Sequence, residues 1–130
     1  MPPPALTILV VDDDPDIRRM AALSLGRIGG FHVSAVASGE EAIARATREP
    51  PDLLLLDVTM PGTDGPATLA ELRRHAATER VPVVFFTATS SDDEVARLRA
   101  LGAIGVVSKP FDVMDLPVRI RRMLDRAGLG

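Results

Sequence analysis

Ile8-Leu9-Val10-Val11-Asp12-Asp13-Asp14 is an apolar run that stops abruptly on three carboxylates. Other runs end the same way: Leu53-Leu54-Leu55-Leu56 on Asp57, Val83-Val84-Phe85-Phe86 on Thr87, and Val106-Val107-Ser108 on Lys109-Pro110. Runs this short, bounded by turn residues, read as strands buried on both faces, as in a parallel sheet. Parallel strands bring their carboxyl ends to one edge, where open α/β sheets bind ligands. That edge collects several carboxylates, one hydroxyl and one ammonium.

The segments between the runs carry a helical period. Ile17, Met20, Ala21, Leu25 and Ile28 predict a helix over Pro15–Ile28, ended by Gly29-Gly30. Phe31–Val36 reads as a weaker strand. Ser38-x-x-Glu41 is a capping box opening a helix that Pro50-Pro51 terminates. Ser91-x-x-Glu94 opens another, with Val95, Leu98 and Leu101 on one face and Gly102 as its stop. The remaining strands are expected at Leu6–Val11, Asp52–Leu56, Val81–Phe86 and Ile104–Val107. A helix over Pro66–Ala76 would bury Leu69 and Leu72. The last helix is expected from near Asp115, because Pro117 is tolerated in a first turn but not in a helix interior. Its apolar face is Ile120, Met123, Leu124 and Ala127. Five strands alternating with five helices indicate a doubly wound parallel α/β domain with right-handed crossovers. Periodicity alone leaves the strand order open.

Composition narrows the chemistry. The 130 residues suit one domain with a proper core, and no linker leads to a second. The absence of cysteine removes disulfides, thiolate metal sites and cysteine nucleophiles. A net charge of −3, with acids and bases interspersed, gives no nucleic-acid footprint. Met1-Pro2-Pro3-Pro4 lacks a basic flank and Ala5–Val11 is too short for a signal or membrane segment, so a disordered tail at 1–4, no membrane partner and a cytoplasmic address are expected. Lys109 is the only lysine among the basic residues. A compact point charge on a flexible stem suits a site needing one small cation; arginine's planar fork does not.

Asp12, Asp13, Asp14 and Asp57 would gather at one rim. Two carboxylates about 4 Å apart repel by roughly 4 kcal/mol near a protein surface. Such a cluster either raises a pKa or holds a cation. Hard oxygen ligands alone suit Mg²⁺ or Mn²⁺. A carboxylate can also act as a nucleophile and form an aspartyl phosphate. In phosphoryl transfer the protein mainly positions the group and neutralises its oxygens, which a metal, the Thr87 hydroxyl and the Lys109 ammonium could share. Ala88, directly after Thr87, leaves room for an entering group. Asp14 and Asp16 beside Pro15 read as helix N-terminal residues, and His32 and His75 as ordinary packing or surface residues.

Taken together, these motifs resemble the receiver domain of bacterial two-component response regulators, which has a flavodoxin-like fold. The resemblance rests on Asp12-Asp13, on Asp57 followed by Met60-Pro61-x-x-Asp64-Gly65, on Thr87-Ala88 and on Lys109-Pro110-Phe111. It spans essentially the whole chain, residues 5–127. It implies a strand order of 2-1-3-4-5. It further implies Asp57 as phosphoacceptor, with Mg²⁺ (or Mn²⁺) held by Asp13, Asp57 and the Thr59 backbone carbonyl, and by Asp12 through water. Thr87 and Lys109 would each bind a phosphoryl oxygen. The implied donor is the phosphohistidine of a sensor histidine kinase or phosphotransfer protein, and the implied readout an unidentified downstream protein. Such a domain catalyses its own phosphorylation and dephosphorylation without being a conventional enzyme. Thr59 and Thr89 fall at variable positions that, in that family, tune water attack on the phosphoaspartate. Val106 stands where the family usually has tyrosine or phenylalanine, a ring that turns inward as the threonine moves.

Two other functions compete. A haloacid-dehalogenase-like phosphohydrolase would use Asp12-x-Asp14, but the chain is short for that fold, no paired acids follow Lys109, and Asp57 would have no role. A receiver-like scaffold that is never phosphorylated would not need the full set of site residues.

Overall fold

The computed structural model describes residues 5–89 and 91–129; the tail expected at 1–4 lies outside them. The strands are β1 (Thr7–Val11), β2 (His32–Val36), β3 (Leu53–Asp57), β4 (Val83–Thr87) and β5 (Gly105–Ser108). The helices are α1 (Pro15–Ala22, continued as a π-helical stretch over Leu23–Ile28), α2 (Gly39–Arg48), α3 (Gly65–Leu72), α4 (Asp92–Ala100) and α5 (Leu116–Arg126). All strand pairings are parallel, in the order β2-β1-β3-β4-β5. The doubly wound flavodoxin-like architecture is therefore as expected.

The sheet is buried because its strands are apolar on both faces. Leu9, Val11, Leu54, Leu56, Val83 and Phe85 face one way, onto Ala42, Leu69, Leu72 and Leu98 of α2, α3 and α4. Ile8, Val10, Leu53, Leu55, Val84 and Phe86 face the other, onto Ala21, Leu25, Ile120 and Leu124 of α1 and α5. Alternate residues of each run thus serve opposite cores, which is why the runs show no polar alternation.

Helix boundaries follow local hydrogen-bond competition. Asp14 caps α1, its carboxylate accepting from Asp16 N–H at 2.8 Å, and Pro15 sits in the first turn. The widened turns of Leu23–Ile28 coincide with Ser24, whose buried hydroxyl donates to the Val113 carbonyl and ties α1 to the segment before α5. Gly30 has φ +78° and turns the chain into β2. Helix α3 stops at Leu72, short of the expected Ala76. The Thr78 hydroxyl donates to the Leu72 carbonyl at 2.6 Å, and Arg73 Nη1 donates to the carbonyls of Thr78 (3.2 Å) and Val81 (2.8 Å). The Thr78 hydroxyl thus takes the carbonyl that another helical turn would have used, and Arg73 holds the following turn in place through the carbonyls of Thr78 and Val81.

Both serine caps form, but neither closes as a full box. Ser38 Oγ accepts from Glu41 N–H at 3.1 Å, while the Glu41 carboxylate accepts from Ala37 N–H, one residue earlier than the motif prescribes. Ser91 Oγ accepts from Glu94 N–H at 3.2 Å, and Glu94 turns instead to Arg97, in a charge-assisted pair at 2.8 Å. Pro117 falls in the first turn of α5, as expected. Further along α5, Arg121 donates to the Gly29 carbonyl and lies 4.3 Å from the Phe31 ring centroid, fastening α5 to the α1–β2 turn.

Gly65 allows α3 to begin directly beneath the end of β3. A β-carbon there would press on the Asp57 carbonyl oxygen and come within 2.9 Å of Val58 Cα, and backbone cannot step aside as a flexible side chain can. Gly65→Ala is therefore expected to destabilise the domain by about 1–3 kcal/mol. Urea denaturation would check this; an unchanged midpoint would contradict the close approach.

Candidate functional site

The strand order reverses between β1 and β3, which leave β1 toward β2 on one side and β3 toward β4 on the other. A crevice opens outside the carboxyl ends at such a point. Asp12 and Asp13 follow β1 there, and Asp57 is the last residue of β3. Thr87 ends β4, and Lys109 follows β5. Register places Asp57 beside Phe86 and Thr87 beside Ser108, so the strand ends are nearly level. Lys109 N–H donates to the Thr87 carbonyl at 2.7 Å, closing the rim between β4 and β5.

The side chains converge. Lys109 Nζ lies 2.6 Å from Asp12 Oδ2 and 3.1 Å from Asp57 Oδ1. Carboxylate oxygens of Asp12, Asp13 and Asp57 all lie within 4.8 Å of one another. Asp12 is fully buried and Asp57 is 4 % exposed, whereas Asp13 is open to solvent. The Lys109 side chain is 18 % exposed, its stem screened by Phe86, whose ring centroid is 5.4 Å from Nζ. Phe86 in turn stacks on Phe111, centroids 5.2 Å apart, so the residue after Pro110 helps wall the ammonium in.

Burial and the neighbouring Asp12 charge, in that order, push the Asp57 carboxyl above its usual range, against the pull of Lys109. For Lys109, burial acts downward as the largest single influence. The hydrogen bonds and charges of Asp12 and Asp57 together outweigh it, so its affinity for a proton rises. A protonated lysine thus faces more negative charge than it can neutralise.

The donor set fits a hard divalent cation. Asp12 Oδ2 is buried with the Lys109 ammonium as its one close partner at 2.6 Å, and a carboxylate oxygen with two lone pairs keeps acceptor capacity beyond that contact. Three clustered carboxylates with one exposed side are the chemistry of an oxygen-ligated site that retains waters.

The other expected residues distribute around this core. Thr59 is exposed, and its N–H reaches toward Asp57 Oδ1 at 3.4 Å. Ala88 is exposed just beyond Thr87. Thr87 is 4 % exposed, and its hydroxyl engages Thr89 rather than Asp57 or Lys109. Val106 pairs in register with Phe85, packs partly buried against the α2–α4 side of the core and lines a groove with Ile104, Arg119 and Met123. Asp14, half of the alternative Asp-x-Asp pair, spends its carboxylate on the α1 cap. His75 pairs with Glu71 at 3.2 Å, away from the rim, and His32 is exposed at the far end of β2.

Sequence reasoning passed over some supporting residues. Arg18 Nη1 donates to the Asp12 carbonyl at 2.9 Å, and Asp14 N–H donates to Asp12 Oδ1 at 2.9 Å; together they fix the residue after β1. Glu40, in the first turn of α2, accepts from the Thr63 N–H and hydroxyl and so holds the loop after β3. Those hydrogen bonds, chiefly from the Thr63 side chain, lower the Glu40 pKa. Both depend on tertiary proximity and have no local sequence signal.

Residues 8–121 match the family described as the response regulator receiver domain. The chain belongs to that family. Its relatives include the transcriptional regulatory protein PrrA of Mycobacterium leprae, 43 % identical over 93 % of this chain and 51 % of PrrA. The phosphate regulon transcriptional regulatory protein PhoB of Pseudomonas aeruginosa is 34 % identical over 95 % of this chain and 54 % of PhoB. The receiver domain thus spans about half the length of the curated relatives it matches. Among solved structures, the chemotaxis protein CheY4 of Vibrio cholerae superposes with a TM-score of 0.85 at 30 % identity, covering 93 % of this chain and all of that one. A putative response regulator from Chloroflexus aurantiacus gives 0.85 at 34 % identity, covering 95 % of this chain and all of the other. Receiver domains are signalling modules of two-component systems.

Crowding at this receiver site is expected to oppose folding. The folded Asp57 carboxyl binds its proton more tightly than the unfolded one, whose reference value is 3.8. Stability should therefore fall as pH rises from about 3.8 through the raised folded value. With a chelator present at pH 7, Asp57→Asn is expected to raise Tm, and the gap from wild type should close as pH approaches 4. A calorimetric Tm series would check this; a lower Tm for the variant at pH 7 would contradict the assignment.

Proposed function

We propose that this receiver unit, residues 5–127, is a phosphoacceptor switch in which Asp57 takes a phosphoryl group from a phosphohistidine. The observation that carries the reading is the ion-paired, nearly buried Asp57, held at the strand switch point beside two further carboxylates and the only lysine. Asp57 Oδ1 is occupied by Lys109 and approached by Thr59 N–H, whereas Oδ2 makes no hydrogen bond among the described residues. Oδ2 is the oxygen free to attack phosphorus. The new O–P bond forms as the P–N bond to the donor imidazole breaks, and the imidazole leaves with the bonding pair. Lys109 stays within reach of the oxygens that gain charge, and Thr87 supplies a hydroxyl from the next strand.

Asp13, Asp57 and the Thr59 carbonyl would hold Mg²⁺ or Mn²⁺ directly, with Asp12 acting through water. The bound cation supplies positive charge against the phosphoryl oxygens. A sensor histidine kinase or phosphotransfer protein is the partner that this chemistry requires, and the reading carries a cytoplasmic address. No helix among the described residues is long and apolar enough to cross a membrane. The downstream partner is a protein whose affinity depends on phosphorylation.

Incubation with Mg²⁺ and acetyl phosphate, followed by mass mapping, is expected to place one acid-stable, base-labile phosphoryl group on Asp57. Asp57→Asn should abolish it. Steady turnover that depends on Asp12 would instead favour a hydrolase, and absence of modification a passive scaffold.

Lys109→Arg keeps the charge but replaces a point charge with a planar fork in a walled pocket. It should leave metal binding measurable while impairing the phosphorylation-induced change seen by NMR; a normal response would refute the role given to Lys109. Asp13→Asn should weaken Mg²⁺ affinity about tenfold or more, read from a metal titration. An unchanged titration would remove Asp13 from the ligand set.

A further inference from the structure

The Thr87 hydroxyl is already engaged. Its Oγ1 accepts the Thr89 N–H at 3.1 Å and lies 3.3 Å from the Thr89 hydroxyl. No hydrogen bond among the described residues joins it to Asp57 or Lys109. A hydroxyl has one proton and two lone pairs. Where Thr87 is the donor of the hydroxyl pair, its proton is committed to Thr89. Where Thr89 is the donor, both Thr87 lone pairs are committed and only its proton is free, held with Oγ1 at the loop. Either arrangement anchors Oγ1 to the loop after β4 rather than to the acceptor carboxylate.

The Thr87 backbone, by contrast, is fixed. Its carbonyl accepts Lys109 N–H at 2.7 Å, and its flanks are those of a buried strand. Threonine has well-separated χ1 wells, so Oγ1 can change partner by rotating about Cα–Cβ while the strand stays in place. The side chain therefore has other staggered positions, and Thr89 stabilises the one it occupies.

We propose that Thr89 is a positioning residue that holds the Thr87 hydroxyl at the loop after β4, so that turning Oγ1 onto a phosphoryl group costs the Thr87–Thr89 hydroxyl contact. This rests on Asp57 being the phosphoacceptor. Thr89 touches neither Asp57 nor Lys109 by any hydrogen bond among the described residues, so it acts through Thr87. It is exposed, and removing its hydroxyl leaves the buried core intact. Removing a contact made only in the unengaged state favours the engaged one. The backbone half of the anchor persists in any substitution, so the gain is that of one hydroxyl pair.

The test uses the full chain with Mg²⁺ and beryllofluoride as the phosphoryl mimic, followed by amide NMR titration. Thr89→Val and Thr89→Ala are expected to bind beryllofluoride about 3- to 10-fold more tightly than wild type, the range of one neutral hydrogen bond. Thr89→Ser, which restores the hydroxyl, should return the wild-type affinity. In a Thr87→Val background the Thr89 substitutions should shift nothing, because the pair no longer exists. Equal or weaker binding by Thr89→Val, or the same gain in the Thr87→Val background, would overturn the holding role. A wild-type chain with no saturable response, or one that survives Asp57→Asn, would overturn the phosphoacceptor reading itself, which is a distinguishable failure.

Discussion

Negative charge confined at the rim of a parallel sheet is the constraint on which the rest depends. Asp12 and Asp57 end neighbouring strands whose preceding residues, Val11 and Leu56, are fully buried. Neither strand can retreat to bring its carboxylate into water without pulling apolar side chains out of the core. Each such residue costs about 1.5–3 kcal/mol to expose, comparable with the repulsion it would relieve. The carboxylates stay together because the sheet holds them, and Lys109 is the cation that the fold itself provides.

The fold was largely legible because it is written in patterns that need no partner to interpret. Runs with no polar alternation announced a two-sided sheet, and serine and proline placed the helix starts at α2, α4 and α5. The differences arose where distant residues intervened. The end of α3 was set by Thr78, which takes over the Leu72 carbonyl, and by Arg73, which ties down the turn that follows. The π-helical stretch after α1 accompanies a bond from Ser24 to a residue far along the chain, Val113. Neither bond has a local signature.

The site divides in the same way. The residues that touch one another were visible because each ends a strand, and parallel strands gather their ends regardless of their order. The residues that hold them were hidden. Arg18 and Glu40 look like ordinary solvent-facing charges on a helix until the helix packs. Only then does the Asp12 carbonyl fall within reach of one and Thr63 within reach of the other. The resemblance marked the position of Thr89, but its contact with the Thr87 hydroxyl has no sequence signal, since a threonine two residues after a strand end is common in turns.

Stability and activity are in opposition at this rim. The groups that would accept a phosphoryl group are those that repel one another in its absence, so the site is under electrostatic load before any ligand arrives. On the proposed reading a metal ion would relieve part of that load and phosphorylation would restore it, because a phosphoryl group carries more charge than the carboxylate it modifies. The strands cannot yield, so relief must come from groups that can move without disturbing the core: the long Lys109 stem and the rotatable Thr87 hydroxyl. Val106 has no ring to reorient, and it sits against Phe85 on the opposite side of β4 from the Lys109–Phe86 wall. On the same reading the response to charge would be concentrated at the ends of β4 and β5, at Thr87 and Lys109.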